Sequence, residues 1–229
     1  METYGIICAM DEEIKELKNA LENEEQIAVG KVTFYKGQIN HKSVILVKSG
    51  IGKVEAGITA ALLLTNFKVD VLIHSGSAAG IGKDLKVGDI VISTETAYHD
   101  VDCTADGEVY GQLPGQPARF KASKMWGQKI GEASKENDMN VHYGLIVTGD
   151  QFIAGKDMIN KILQHFPDAL AGEMEGAAVG QVAHQFEVPY VVVRAMSDVG
   201  DEDANQSFSE FIVEAGKQSA TMLLNLLAE

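Results

Sequence analysis

Four apolar runs of this sequence end in polar groups that could bind a ligand or move a proton. They lead into Asp11-Glu12-Glu13, Ser75-Gly76-Ser77-Ala78-Ala79-Gly80, Gly149-Asp150-Gln151-Phe152 and Ser197-Asp198. A fifth group, Glu173-Met174-Glu175, follows the short apolar stretch 169–171. In an open α/β sheet, ligands bind beyond the carboxyl ends of the strands, so carboxylates gathered there are candidates for catalysis. Each acid also has an ordinary reading. Asp198 suits a helix N-cap or turn, and Glu13 and Glu175 suit solvated first-turn acids favoured by the helix dipole. What singles the three out is that they recur together at strand ends. Phe152, Phe208 and Met174 stand beside these segments. Such residues usually pack a core, but an aromatic next to a polar loop can also stack on a flat base.

Other chemistries fit poorly. Gly50-x-Gly52-x-x-Glu55 carries Glu where a dinucleotide fingerprint needs a small residue, and no Gly-Lys-Ser/Thr is present to cradle a phosphate. His99-Asp100-Val101-Asp102 is a weak metal signal, one His with flanking acids, and reads better as a loop network. The Gly-x-Ser-x-Gly nucleophile elbow is missing. The expectation is therefore a site without a cofactor or a metal.

The elements needed to position these groups can be read from periodicity. Continuous apolar runs at 4–10, 69–74, 89–97, 141–148 and 189–196 read as strands, and segments 32–38 and 43–48 as a hairpin about Asn40-His41-Lys42. Helices are expected from 14 to 21, from the Ser49-Gly50-Ile51-Gly52 turn to about 67, and over 123–137, 156–165, 174–186 and 208–227. Residues 75–80 read as a functional loop of small residues, and 99–120 as a long loop. Strands alternating with helices predict one α/β domain over 1–229, a sheet covered by helices on both faces.

Composition narrows the partners. The 229 residues carry 33 acidic against 19 basic side chains, a net charge of -14, and the only arginines are Arg119 and Arg194. A nucleic-acid surface needs clustered Lys and Arg, so that partner is not expected. Anionic clamps are usually built from Arg, so highly charged ligands are not expected either. Cys8 and Cys103 form neither a disulfide framework nor a zinc spacing, which fits a reducing compartment. The apolar stretch at 4–10 is too short for a membrane span or a signal h-region, so a cytoplasmic location is expected.

Eight segments stand in order along essentially the whole chain: Gly5-Ile-Ile-x-Ala-Met10-x-Glu12-Glu13, Ser49-Gly-Ile-Gly-Lys53, Gly76-Ser-Ala-x-Gly80, Tyr98-His-Asp100, Tyr110-Gly-Gln-Leu-Pro-Gly115, Gly149-Asp-x-Phe-Ile153, Glu173-Met-Glu175 and Val193-Arg-Ala-x-Ser-Asp198. Their order and spacing resemble the bacterial methylthioadenosine/S-adenosylhomocysteine nucleosidases, a branch of the purine nucleoside and uridine phosphorylase superfamily. The resemblance implies a three-layer α/β/α sandwich with a mixed sheet, small adenine thionucleosides as ligands, and a homodimer.

It also implies roles for individual residues. Asp198 would protonate adenine N7 and Glu13 would activate water, while Met174 and Glu175 would hold the ribose and Ser77 and Arg194 would help to place the water. Phe152 and Ile153 would take the base, Phe208 would cover the sugar or alkylthio end, and Gly80 and Ser197 would complete the binding set. Asp106 stands where relatives usually carry an aromatic, which leaves open the contacts on the alkylthio side. The chemistry is coherent in itself: breaking an N-glycosidic bond through an oxocarbenium-like state calls for one carboxyl to protonate the leaving base and another to drive water from the opposite face.

Three competing readings remain. A phosphorylase on the same frame would need a cationic clamp, related hydrolases could act on futalosine-type nucleosides or on AMP, the latter again needing a phosphate clamp, and a nucleoside-binding protein could have kept the fold without the chemistry.

Overall fold

The computed structural model describes residues 2–134, 139–199 and 204–228. Its ten strands belong to one mixed sheet. In the order β10-β6-β8-β9-β5-β1-β4-β3-β2 these are β10 (Tyr190–Asp198), β6 (Ile90–Tyr98), β8 (Val141–Thr148), β9 (Ala169–Glu173), β5 (Val71–Gly80), β1 (Thr3–Cys8), β4 (Lys42–Lys48), β3 (Val32–Ile39) and β2 (Glu22–Val29), while the short β7 (Phe120–Lys121) pairs with β6. β5 runs parallel to both β1 and β10. It also meets β9 in antiparallel fashion through Ala79 and Gly80, so the path β5-β10-β6-β8-β9 closes on itself.

The central strands are apolar because both faces are covered. β5 and β10 are buried at every position, the pattern of strands packed between helical layers. On one face α1 (Asp11–Asn19), α3 (Lys124–Ala133) and α6 (Ala204–Ala228) pack Ile14, Leu17, Trp126, Ile130 and Leu223 against Ile6, Ile73 and Val191. On the other, α2 (Lys53–Asn66) and α5 (Gly176–Gln185) pack Ala56, Leu63, Val179 and Ala183 against Ile7, Leu72 and Val192. α4 (Lys156–His165) closes a smaller cluster at the tip of β8 and β9 through Ile162. This is the expected α/β/α arrangement.

Several boundaries differ from the sequence reading. Residues 75–80 continue β5 and are not a loop, because their backbone pairs with β10 and then β9. Ser197 and Asp198 are the last residues of β10 and do not lie beyond it. Met174 and Glu175 precede α5, which starts at Gly176, and α6 starts at Ala204 rather than 208. The expected helix at 123–137 is found over Lys124–Ala133, and its last residues 135–137 lie outside the described residues. β2 was not anticipated: Glu22, Glu24 and Glu25 break its apolar alternation, since its first five residues are exposed.

Candidate active site

Glu13 occupies the third position of α1, and its carboxylate turns back over the helix start. Oε2 accepts from the amides of Ala9 (2.9 Å) and Met10 (3.1 Å). Met10 is the N-cap, so half of a capping box is in place. Oε1 accepts from the Ser77 amide at 2.9 Å and its hydroxyl at 3.1 Å. Glu13 therefore serves the helix, as its position suggested, and at the same time faces a cavity with only 1% exposure. Burial raises its pKa, opposed by the charge of Arg194 and by the Ser77 and Met10 hydrogen bonds.

Below the cavity lies a wholly buried guanidinium. Nη2 of Arg194, on β10, contacts Glu173 closely, reaches Glu175 Oε2 at 3.3 Å and donates to Nδ1 of His74 on β5 at 2.7 Å. Burial pulls the Arg194 pKa down, but Glu173, Glu175 and Glu13 more than compensate and raise it. Burial and the Arg194 charge drive the His74 pKa far down, so its ring is neutral. Gly76 makes this proximity possible: a Cβ there would overlap both Arg194 Nη1 and Glu13 Oε1.

The two acids at the start of α5 divide their work. Glu173, the end of β9, accepts from the amides of Glu175 (3.1 Å) and Gly176 (2.8 Å) and from the Thr148 hydroxyl, so its carboxylate caps α5 in place of the side chain of the N-cap residue Glu175. Glu175 is thereby released from capping. Its Oε1 accepts from the Gly52 amide at 2.8 Å, and burial, with the Glu173 charge beside it, pushes its pKa up to about 8. Gly52 adopts φ +98°, where a side chain is strained, and a Cβ would sit 3.0 Å from Asp150 Oδ1.

These groups surround a cavity of about 200 Å³. Glu13, Ser77, Glu173, Glu175, Ser197 and Asp198 form its polar wall, and Met10, Ile51, Phe152, Ile153, Met174 and Phe208 its apolar one. The Ser197 hydroxyl donates to Asp198 Oδ2 at 2.9 Å. Phe152 and Phe208 meet edge to face with centroids 5.6 Å apart, which leaves ring faces available for a flat ligand. Among the described residues, the lining contains no Lys or Arg.

The structure thus brings together Glu13, Ser77, Phe152, Ile153, Met174, Glu175, Ser197, Asp198 and Phe208, all named from the sequence. It places two others differently. Gly80 pairs with Ala171 and packs near Leu85 and Met196, outside the lining, and Arg194 touches the cavity only through Glu173 and Glu175. Sequence reasoning gave no role to Glu173, His74, Ala9, Ile51 or Gln151. A histidine closing an apolar run was a usable signal for His74. Nothing in the local pattern distinguished Glu173 from Glu175, because the difference is which of them caps α5.

Comparison with known proteins places this geometry. Residues 3–228 match the phosphorylase superfamily. The 5'-methylthioadenosine/S-adenosylhomocysteine nucleosidase of Actinobacillus succinogenes is 48% identical over 225 residues, covering 98% of either chain. The nucleosidase of that name from Neisseria meningitidis, solved with methylthio-immucillin-A, superposes with TM-score 0.97 at 42% identity over 100% of this chain and 99% of that one. The Streptococcus pneumoniae enzyme, bound to a transition-state inhibitor, gives 0.94 at 47% identity over 99% and 98%.

Proposed function

Because the chain belongs to the phosphorylase superfamily and, within it, to the methylthioadenosine/S-adenosylhomocysteine nucleosidases, we propose that it hydrolyses the N-glycosidic bond of these two adenine thionucleosides to adenine and the thioribose product. The observation that carries this is the pairing of Glu13 and Asp198 in one small cavity whose lining, among the described residues, holds no cation. Asp198 protonates N7 of the departing adenine. Glu13, held by Ser77 and tempered by Arg194, takes a proton from the attacking water. Phe152 stacks on the base and the Ile153 backbone reads its edge. Glu175 and Met174 hold the ribose, and Phe208 covers the sugar or alkylthio end. Glu173 and Glu13 outnumber the single Arg194 guanidinium, which favours a cationic oxocarbenium-like state.

Phosphorolysis fits less well, because a phosphate dianion would meet carboxylates, and Arg194 is already engaged by Glu173, Glu175 and His74. Incubation with methylthioadenosine in phosphate-free buffer, following adenine and sugar release, tests the reading. Adenine with free methylthioribose supports it, and strict phosphate dependence overturns it. Absence of cleavage also overturns it, in favour of the futalosine-type or binding-protein alternatives.

Exposed apolar residues on α2 and in the turn before it support a homodimer. Val54 is 70% exposed, Ile51 54% and Ile58 49%, and Val109 adds to the exposed apolar surface from the 99–120 loop. Sedimentation at micromolar concentration should give twice the chain mass, and a monomer would refute the assembly. A reducing, cytoplasmic setting accords with two unpaired thiols, Cys8 and Cys103, and one unit spanning 1–229 accords with the continuous sheet.

A further inference from the structure

Three of the sequence segments named at the outset, those ending in Lys53 and Asp100 and beginning at Gly149, place charged residues outside the cavity that the reaction does not use. They converge. Lys53 Nζ bonds both oxygens of Asp100, at 2.8 and 2.7 Å. Asp100 Oδ2 also accepts from the Asp150 amide at 2.9 Å, and Asp150 Oδ1 accepts from the Lys53 amide at 2.8 Å. Lys53 Nζ lies 3.8 Å from Asp150 Oδ2 and 5.4 Å from the centroid of the Tyr98 ring. The Lys53 side chain is 23% exposed and that of Asp100 14%, so this is a sheltered ion pair and not a solvated one.

Each corner of this triangle leads to a different part of the site. Lys53 opens α2, and the preceding residue, Gly52, donates to Glu175. Asp150 precedes Phe152 and Ile153 by two and three residues. Asp100 follows β6, and next to it the His99 ring fills the space that a Cβ on Gly149 would take. The backbone is bound in the same way, with His99 N donating to Thr148 O at 2.9 Å and Gly149 N to Glu173 O at 3.1 Å.

We propose that Lys53, Asp100 and Asp150 are positioning residues that lock the base-stacking segment 149–153 to the start of α2, so that Phe152 and Ile153 are held in fixed relation to Glu175. The inference rests on the assignment of the cavity given above. Position is the whole of its effect: the triangle touches no reacting atom, so its loss weakens binding more than it slows chemistry.

Asp100→Asn keeps the shape and an acceptor for the Asp150 amide but removes the charge, and Lys53→Met keeps the stem. Either change should raise KM for methylthioadenosine about tenfold and weaken adenine inhibition equally, with kcat within about threefold of the parent. Lys53→Arg should restore most of the binding. The double variant Lys53→Met/Asp100→Asn should be no worse than the worse single, because both break one triangle. Hydrogen exchange in peptides covering 149–153 should accelerate in the same variants. Unchanged KM with unchanged exchange, a loss confined to kcat, or losses that multiply in the double variant would each overturn the proposal. If the parent releases no adenine, the assigned reaction fails, while the exchange comparison still decides whether the lock exists.

Discussion

The chain has two arginines, and they occupy opposite physical situations. Arg119, 32% exposed, makes the more regular set of bonds: Nη1 and Nη2 fork onto Asp168 at 2.6 and 3.0 Å, and Nη1 also reaches Glu95 at 3.3 Å. Arg194 is fully buried, crowds its contacts onto Nη2, and leaves Nε and Nη1 without a partner among the described atoms. The pKa shifts follow. Hydrogen bonds from Arg119 lower the pKa of Asp168, whereas around Arg194 desolvation raises those of Glu13 and Glu175 despite the guanidinium. Regular geometry therefore marks the structural cluster. The cluster proposed to act in catalysis is marked by too many buried carboxylates for the available cation, a shortage that persists only where the surrounding fold enforces it.

The largest expected effect is on the reaction itself. Asp198→Asn and Glu13→Gln should each lower kcat about 100- to 10,000-fold while leaving unfolding cooperative, as single-turnover adenine release and thermal melts would report. A loss below tenfold in both would remove the functional cluster from the comparison. Next is Arg194→Met, which strands buried carboxylates and should cost about 3–5 kcal/mol in urea unfolding.

Glu175 gives a smaller, pH-dependent effect. Its folded pKa of about 8 lies above the ordinary 4.5, so folding takes up a proton between these values. The stabilisation is complete below the lower value and is lost as pH rises toward 8, with a slope of at most about 1.4 kcal/mol per pH unit. Melts from pH 5 to 8 should show the decline, and Glu175→Gln should flatten it. A decline of equal slope in that variant would assign it to other groups. The smallest effect is expected at Arg119→Met, below about 1 kcal/mol with kcat unchanged within twofold. A cost equal to that of Arg194→Met would erase the distinction between the two sites.

Local patterning carried much of the fold and the site. β8 and α4 appear with the limits read from periodicity, because a continuous apolar run and an amphipathic repeat report their own burial. Glu13 and Asp198 were accessible as candidates because they adjoin apolar runs. The long-range effects were not accessible. Whether residues 75–80 form a loop or a strand depends on pairing with β10 and β9, 118–119 and 91–93 residues away. β2 carries its acids on an exposed hairpin, where burial leaves no signature.

By itself the sequence determined the alternation of elements, the acids at their ends and the scarcity of cations, since each is a property of residue type and short spacing. Only the tertiary structure decided which glutamate caps α5, that Arg194 lies beneath the cavity instead of lining it, and that Lys53, Asp100 and Asp150 meet. Those outcomes depend on contacts between residues 19 to 123 positions apart, which chain closure and competition for buried hydrogen-bond partners settle only in the folded chain.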